Sequence, residues 1–172
     1  PVIAGFSAEK DHKALNRNLN SALKLTALIS FPAGIGLIAA SDRIMELLYD
    51  SVASVEIGSP LLTIFGIAAV FAGFSIPLTG ILQAVGRQKR ALINIAVGAA
   101  VKLTVGLLTV SVPEINVKGS ALSTLSCYAV IFVLHIAALL KDKDISVNIK
   151  SVFLKPLISA AFCGVSALSL IH

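Results

Sequence analysis

Four apolar runs, at about 20–40, 60–85, 91–112 and 119–140, divide this chain between short polar stretches. At about 1.5 Å per residue, each is long enough to cross a hydrocarbon core of about 30 Å. Inside hydrocarbon every backbone N–H and C=O needs a partner from its own segment, and a helix supplies one. The runs therefore predict an all-α fold, a polytopic transmembrane helix bundle. Composition bears on one point: 13% of the residues are charged and the mean hydropathy is +0.93. A soluble domain carries about 25% charged residues. A water-facing surface cannot be built from so few.

The polar stretches punctuate the runs. Residues 1–19 read as the end of a preceding helix and a cytoplasmic amphipathic linker. Ala14, Leu15, Leu19, Ala22 and Leu23 form one greasy face of that linker, which either lies at the interface or extends into the first span. The first span contains Pro32, Gly34 and Gly36, and a proline there should kink the helix. Ser41-Asp42 reads as an N-cap opening a short amphipathic helix, with a loop continuing through Gly58. The second span starts at Pro60, carries Pro77 in its second half and meets a tight basic turn at residues 86–90. Residues 141–172 read as a cytoplasmic loop followed by an additional, partial fifth span from near Ser151. Opening on Pro1 without an initiator Met, the chain reads as part of a longer polypeptide.

The basic residues orient the bundle. Lys10, Lys13, Arg17, Lys24, Arg87, Lys89, Arg90, Lys141, Lys143, Lys150 and Lys155 all fall on one side if successive loops alternate. Only Arg43 and Lys118 fall on the other. Positive loops stay in the cytoplasm, so the loops around 7–19, 86–90 and 141–150 are expected to be cytoplasmic in a multi-pass protein of the cell membrane. The net charge of +5 is thereby explained by topology, and no nucleic-acid partner is implied.

Chemistry-bearing residues are few. The acidic residues, Glu9, Asp11, Asp42, Glu46, Asp50, Glu56, Glu114, Asp142 and Asp144, are all placed in loops. A proton or sodium relay built from carboxylates within these spans is thus not expected. Cys127 and Cys163 lie in apolar runs without a C-x-x-C or Cys/His neighbour, so neither a metal site nor a cofactor is implied. No nucleophile-base set or phosphate-binding glycine loop is present, and the chain does not read as an enzyme. His135 reads as an ordinary interhelical or interfacial residue.

Lys102 is the exception, a lone charge near the middle of Ala91–Val112. A central lysine costs about 2.5–3.5 kcal/mol on insertion. The eleven Leu, Ile and Val residues of the run return roughly 3–7 kcal/mol, so the segment still inserts. The ammonium lies about 15 Å from either end of the run, farther than its stem can snorkel. It needs a wet cavity, a partner helix or an anionic ligand. Asn94, Gly98, Lys102 and Gly106, spaced by four, form a slowly winding small-and-polar stripe. Its glycines suit close helix packing. Lys102, Asn94 and Gln83 are the expected cavity residues, although Gln83 could equally be a solvated interfacial glutamine. Pro32, Gly34, Gly36 and Pro77 are the expected kink or hinge positions.

Taken in order, FPAGIGL in the first span, Leu82-Gln83-x-x-Gly86 closing the second and the lysine midway along the third resemble a known family. It is the multidrug/oligosaccharidyl-lipid/polysaccharide exporter superfamily, in the branch of stage V sporulation protein B types and lipid II flippases. The resemblance implies a MATE-like transporter of two helical lobes around a cavity that opens alternately to each side. This chain would supply its C-terminal lobe, with the rest of the same transporter chain as partner. It further implies an anionic, lipid-linked sugar as substrate, membrane lipid as surroundings and a place for Lys102 near the diphosphate. A MATE-like drug or cation antiporter and a non-transporting membrane scaffold are the alternatives.

Overall fold

The computed structural model describes residues 12–49, 51–112 and 116–141, with 145, 152, 154, 156–160 and 162. Its principal helices are α1 (His12–Ala39), α2 (Ser41–Leu48), α3 (Val52–Ala84), α4 (Gln88–Val110) and α5 (Asn116–Leu140). Four of them, α1, α3, α4 and α5, are long and apolar enough to cross a membrane. The expected preceding helix, most of the loop after Lys141 and most of the fifth span lie outside the described residues.

Helix boundaries depart from the apolar runs at three places. α1 begins at His12 and not near residue 20, so the amphipathic linker and the first span form one helix. The reason is a continuous face. Leu15, Leu19, Leu23 and Ala27, spaced by four, are all buried, and three of them join the main apolar core. Similarly, α3 begins at Val52, where a loop through Gly58 was expected. Its 33 residues measure about 50 Å, well beyond the hydrocarbon thickness. The extra turns are held by α2, with Gly58 pressed against Met45. Hydropathy marks only the part of a helix inside the lipid and is blind to such extensions. The third departure is the N-cap. Ala40 occupies that position, while Ser41 is already helical and donates its hydroxyl to the Ile38 carbonyl at 3.0 Å.

The turn between α3 and α4 shows why glycine ends the Leu82-Gln83-x-x-Gly86 segment. Gly86 has φ of 78°, in the left-handed region that a Cβ disfavours. Its N–H donates to the Gln83 carbonyl at 3.0 Å and that of Arg87 to the Leu82 carbonyl at 2.8 Å. These are the two bonds of a Schellman cap. Gly86→Ala should cost about 1–2 kcal/mol, measurable as a lower denaturation midpoint of the full-length protein in detergent.

Lipid tails are as apolar as leucine, so close packing and hydrogen bonds hold the helices together. α1 packs on α3, α3 on α5 and α5 on α4, and α3 meets α4 only lightly. Phe74 is the centre: its ring lies 5.7 Å from that of Phe31 and 5.6 Å from that of Phe132, while Phe71 and Phe132 pair at 5.5 Å. Glycines set several close approaches. At the α1–α3 crossing a Cβ on Gly34 would stand 2.8 Å from the Gly66 carbonyl, and one on Gly66 would stand 2.9 Å from the Gly34 carbonyl. Between α4 and α5, a Cβ on Gly98 would overlap Ile131 and reach 3.2 Å from the Cys127 carbonyl. Gly106, on the same stripe, has ordinary contact with Ser123 at 3.7 Å. Gly106→Ala should therefore fold normally, and an unchanged melting temperature would verify it.

Candidate functional site

α4 is anchored by one seam. Ala91 and Gly98 are buried in it, while Leu92, Leu103, Leu107 and Leu108 on the remaining surface are exposed. The stripe expected from the sequence winds by about 40° at each step of four residues. It therefore crosses this seam and does not follow it. Asn94 emerges on one side, Gly98 lies in the contact and Lys102 emerges on the other.

The two sides open into different cavities. Asn94 lines a cleft of about 250 Å³ between α4 and α5, together with Arg90, Leu134 and Lys141. Its Nδ2 is buried without a hydrogen-bond partner among the described residues. Gln83 lines a larger cavity of about 650 Å³ bounded by α3, α4 and α5. Ser75, Thr79 and Tyr128 supply its other polar groups, and Ile95 and Ile131 are in its wall. The light contact between α3 and α4 leaves the space for it.

Lys102 lies seven residues beyond Ile95, hence on the same face of α4, about 10 Å farther along the axis. Its side chain is exposed. The lysine thus belongs to the side of α4 that walls the larger cavity. Gln83 lines the larger cavity and Asn94 the smaller cleft, and Lys102 is among the lining residues of neither.

Of the expected hinge positions, Pro32 and Pro77 lie inside continuous helices. Gly34 has a packing role at the α1–α3 crossing, whereas Gly36 is exposed with open space around it. Glu46 and Asp42 prove to be in α2 and Glu56 in the second turn of α3, outside the apolar run and not in loops. They line a cavity of about 700 Å³ at the end of the bundle opposite the basic turn.

Residue-type reasoning missed Ser75, Thr79 and Tyr128. The first two had a legible signal. Ser75, Thr79 and Gln83 recur every four residues, drawing a polar line along the otherwise apolar second half of α3. Tyr128 had none.

Residues 1–108 match the MatE family, and the chain belongs to it. It is a multi-pass membrane protein with the all-helical transporter fold of its structural relative, the lipid II flippase MurJ in an inward closed conformation. That similarity has a TM-score of 0.79 at 21% identity, over 98% of this chain and 35% of MurJ. Stage V sporulation protein B of Bacillus subtilis strain 168 is 25% identical over 150 residues, covering 87% of this chain and 28% of that protein. The uncharacterized membrane protein YabM of the same strain is 26% identical over 161 residues, covering 94% of this chain and 29% of YabM. The chain thus spans under a third of the length of these two relatives.

Proposed function

We propose that this chain is the C-terminal lobe of a flippase that moves a polyprenyl-diphosphate-linked oligosaccharide or peptidoglycan precursor by alternating access, without covalent chemistry. One observation carries the reading. An exposed lysine stands midway along a membrane helix, on the same face of α4 as Ile95, which walls a mainly apolar cavity carrying Ser75, Thr79, Gln83 and Tyr128, and no carboxylate lies at its depth among the described residues. Leaving an ammonium in lipid hydrocarbon at that depth is costly. The face must meet a wet cavity or the remainder of the transporter, and an anionic diphosphate fits a wet cavity with one fixed cation. The basic turn at residues 86–90 is on the cytoplasmic side in this reading, with α4 running outward.

Cysteine scanning of the full-length protein tests it. Lys102→Cys should react with a membrane-impermeant maleimide while Leu103→Cys and Leu107→Cys, on the lipid side, stay protected. Protection of Lys102→Cys, with a carboxylate of another helix crosslinking to Lys102, would instead identify a scaffold subunit in which the lysine is an interhelical ion-pair partner.

A further inference from the structure

We propose that His135 and Thr79 form a proton-binding site inside the bundle, entered from the 650 Å³ cavity. The proposal rests on the hydrogen-bond chain below and does not depend on which cargo the transporter moves.

The His135 side chain is fully buried. Its Nδ1 lies 2.7 Å from the Ile131 carbonyl and its Nε2 lies 3.1 Å from Thr79 Oγ1. Thr79 Oγ1 in turn lies 2.7 Å from the Ser75 carbonyl. The chain has three links and ends at both sides on a carbonyl, which can only accept. Proton counting then constrains the site. A neutral imidazole and the hydroxyl bring two protons to three links. Nδ1–H donates to Ile131, the hydroxyl turns to donate to Nε2, and the Ser75 carbonyl keeps only its helical N–H. An imidazolium brings the third proton. Nε2–H then donates to Thr79 Oγ1, and the hydroxyl turns back to Ser75. Neither state strands a donor, and the two differ by one hydroxyl rotation. Stranding a buried charged donor is what usually forbids ionisation inside a protein. A histidine held only for structure needs partners for one state, and this one has partners for both.

Access follows from the cavity lining. Ser75, Thr79 and Ile131, which hold the chain, all line the cavity, whereas the imidazole does not. Proton uptake passes through the hydroxyl: a hydronium gives one proton to Thr79 Oγ1 while the original hydroxyl proton moves to Nε2. One O–H bond of hydronium breaks, one N–H bond forms, the hydroxyl is regenerated and a water remains.

The ring is bonded by Thr79 and the Ile131 carbonyl and, among the described residues, by no carboxylate. Among the described residues, the one ionisable side chain of α3 is Glu56, near its opposite end. α4 brings Lys102 and, at its start, Lys89 and Arg90; α5 itself carries Lys118, Cys127 and Tyr128, with Lys141 just beyond. These groups leave the ring to its hydrogen bonds and to water from the cavity, so it can exchange its proton.

Ring-nitrogen NMR of the histidine-labelled, full-length protein in nanodiscs tests this directly. The His135 signal is identified by its loss in His135→Gln. As the pH is raised it should pass from two protonated ring nitrogens to one. Thr79→Val removes the acceptor for Nε2–H and should weaken proton binding at His135 about tenfold, a shift of about one pH unit. Thr79→Ser keeps the hydroxyl and should titrate like the parent; Thr79→Ala replaces the valine variant if that one misfolds. A ring that keeps one protonation state as the pH is raised overturns the proposal. So does one that takes up protons as readily without the hydroxyl.

Discussion

Lys102→Ala and Lys102→Glu, made in the full-length protein, should reduce translocation ten- to a hundredfold while leaving membrane insertion intact. The magnitude comes from the contact proposed for it. A hydrogen bond to a charged group contributes about 1.5–3 kcal/mol, and about 1.4 kcal/mol is tenfold. Alanine removes the insertion cost of the lysine. Glutamate keeps a comparable cost and reverses the sign that a diphosphate would meet. Glutamate should therefore be the worse of the two, because it adds repulsion to a lost attraction. Reconstituted vesicles carrying a fluorescent lipid-diphosphate would measure the rate, and carbonate-resistant membrane association would measure insertion. Normal transport by both variants would remove Lys102 from the cargo path.

The second large effect separates glycines that the sequence treats alike. Gly34→Ala should destabilise the full-length protein by about 1–3 kcal/mol, the usual cost of overpacking. The atom it meets 2.8 Å away is the Gly66 carbonyl, a backbone group that moves only if α1 and α3 separate. Gly98→Val should do likewise by prising α4 from Ile131. Two residues along from Gly34, Gly36→Ala should have the opposite sign and stabilise by up to about 1 kcal/mol, since it gains helix propensity and meets nothing. Melting curves in detergent would rank the three. If Gly36 is a hinge, its alanine variant will be stable yet slow in transport. Should Gly34→Ala prove neutral, the tight crossing of α1 and α3 is not a stabilising contact.

Span number was legible because hydrocarbon imposes length and apolarity on a segment whatever it packs against. The gathering of basic residues in alternate polar stretches was legible from loop charge alone, and it predicts which loops face the cytoplasm. Boundaries at His12 and Val52 were not, because those extensions are held by contact, Leu15 and Leu19 by burial and Gly58 by Met45. In the candidate site, Lys102 was visible as an energetic anomaly that needs no neighbour to be recognised. Gln83 and Asn94 were visible as polar residues but not as residues of separate cavities. Thr79 and His135 stand 56 positions apart in the chain, and nothing local to either marks the other as its partner.

By itself, then, the sequence determined a bundle of membrane helices, the gathering of its basic residues in alternate polar stretches and the presence of one cation midway along an apolar run. All three follow from the transfer of residues between water and lipid, which depends on residue type and order. The tertiary structure alone decided which faces meet. A stripe spaced by four rotates about 40° per step, so whether it follows a seam or crosses it depends on where the neighbouring helix lies. Here it crosses, leaving Lys102 on the face of α4 shared with Ile95 and Asn94 beside Arg90 and Lys141.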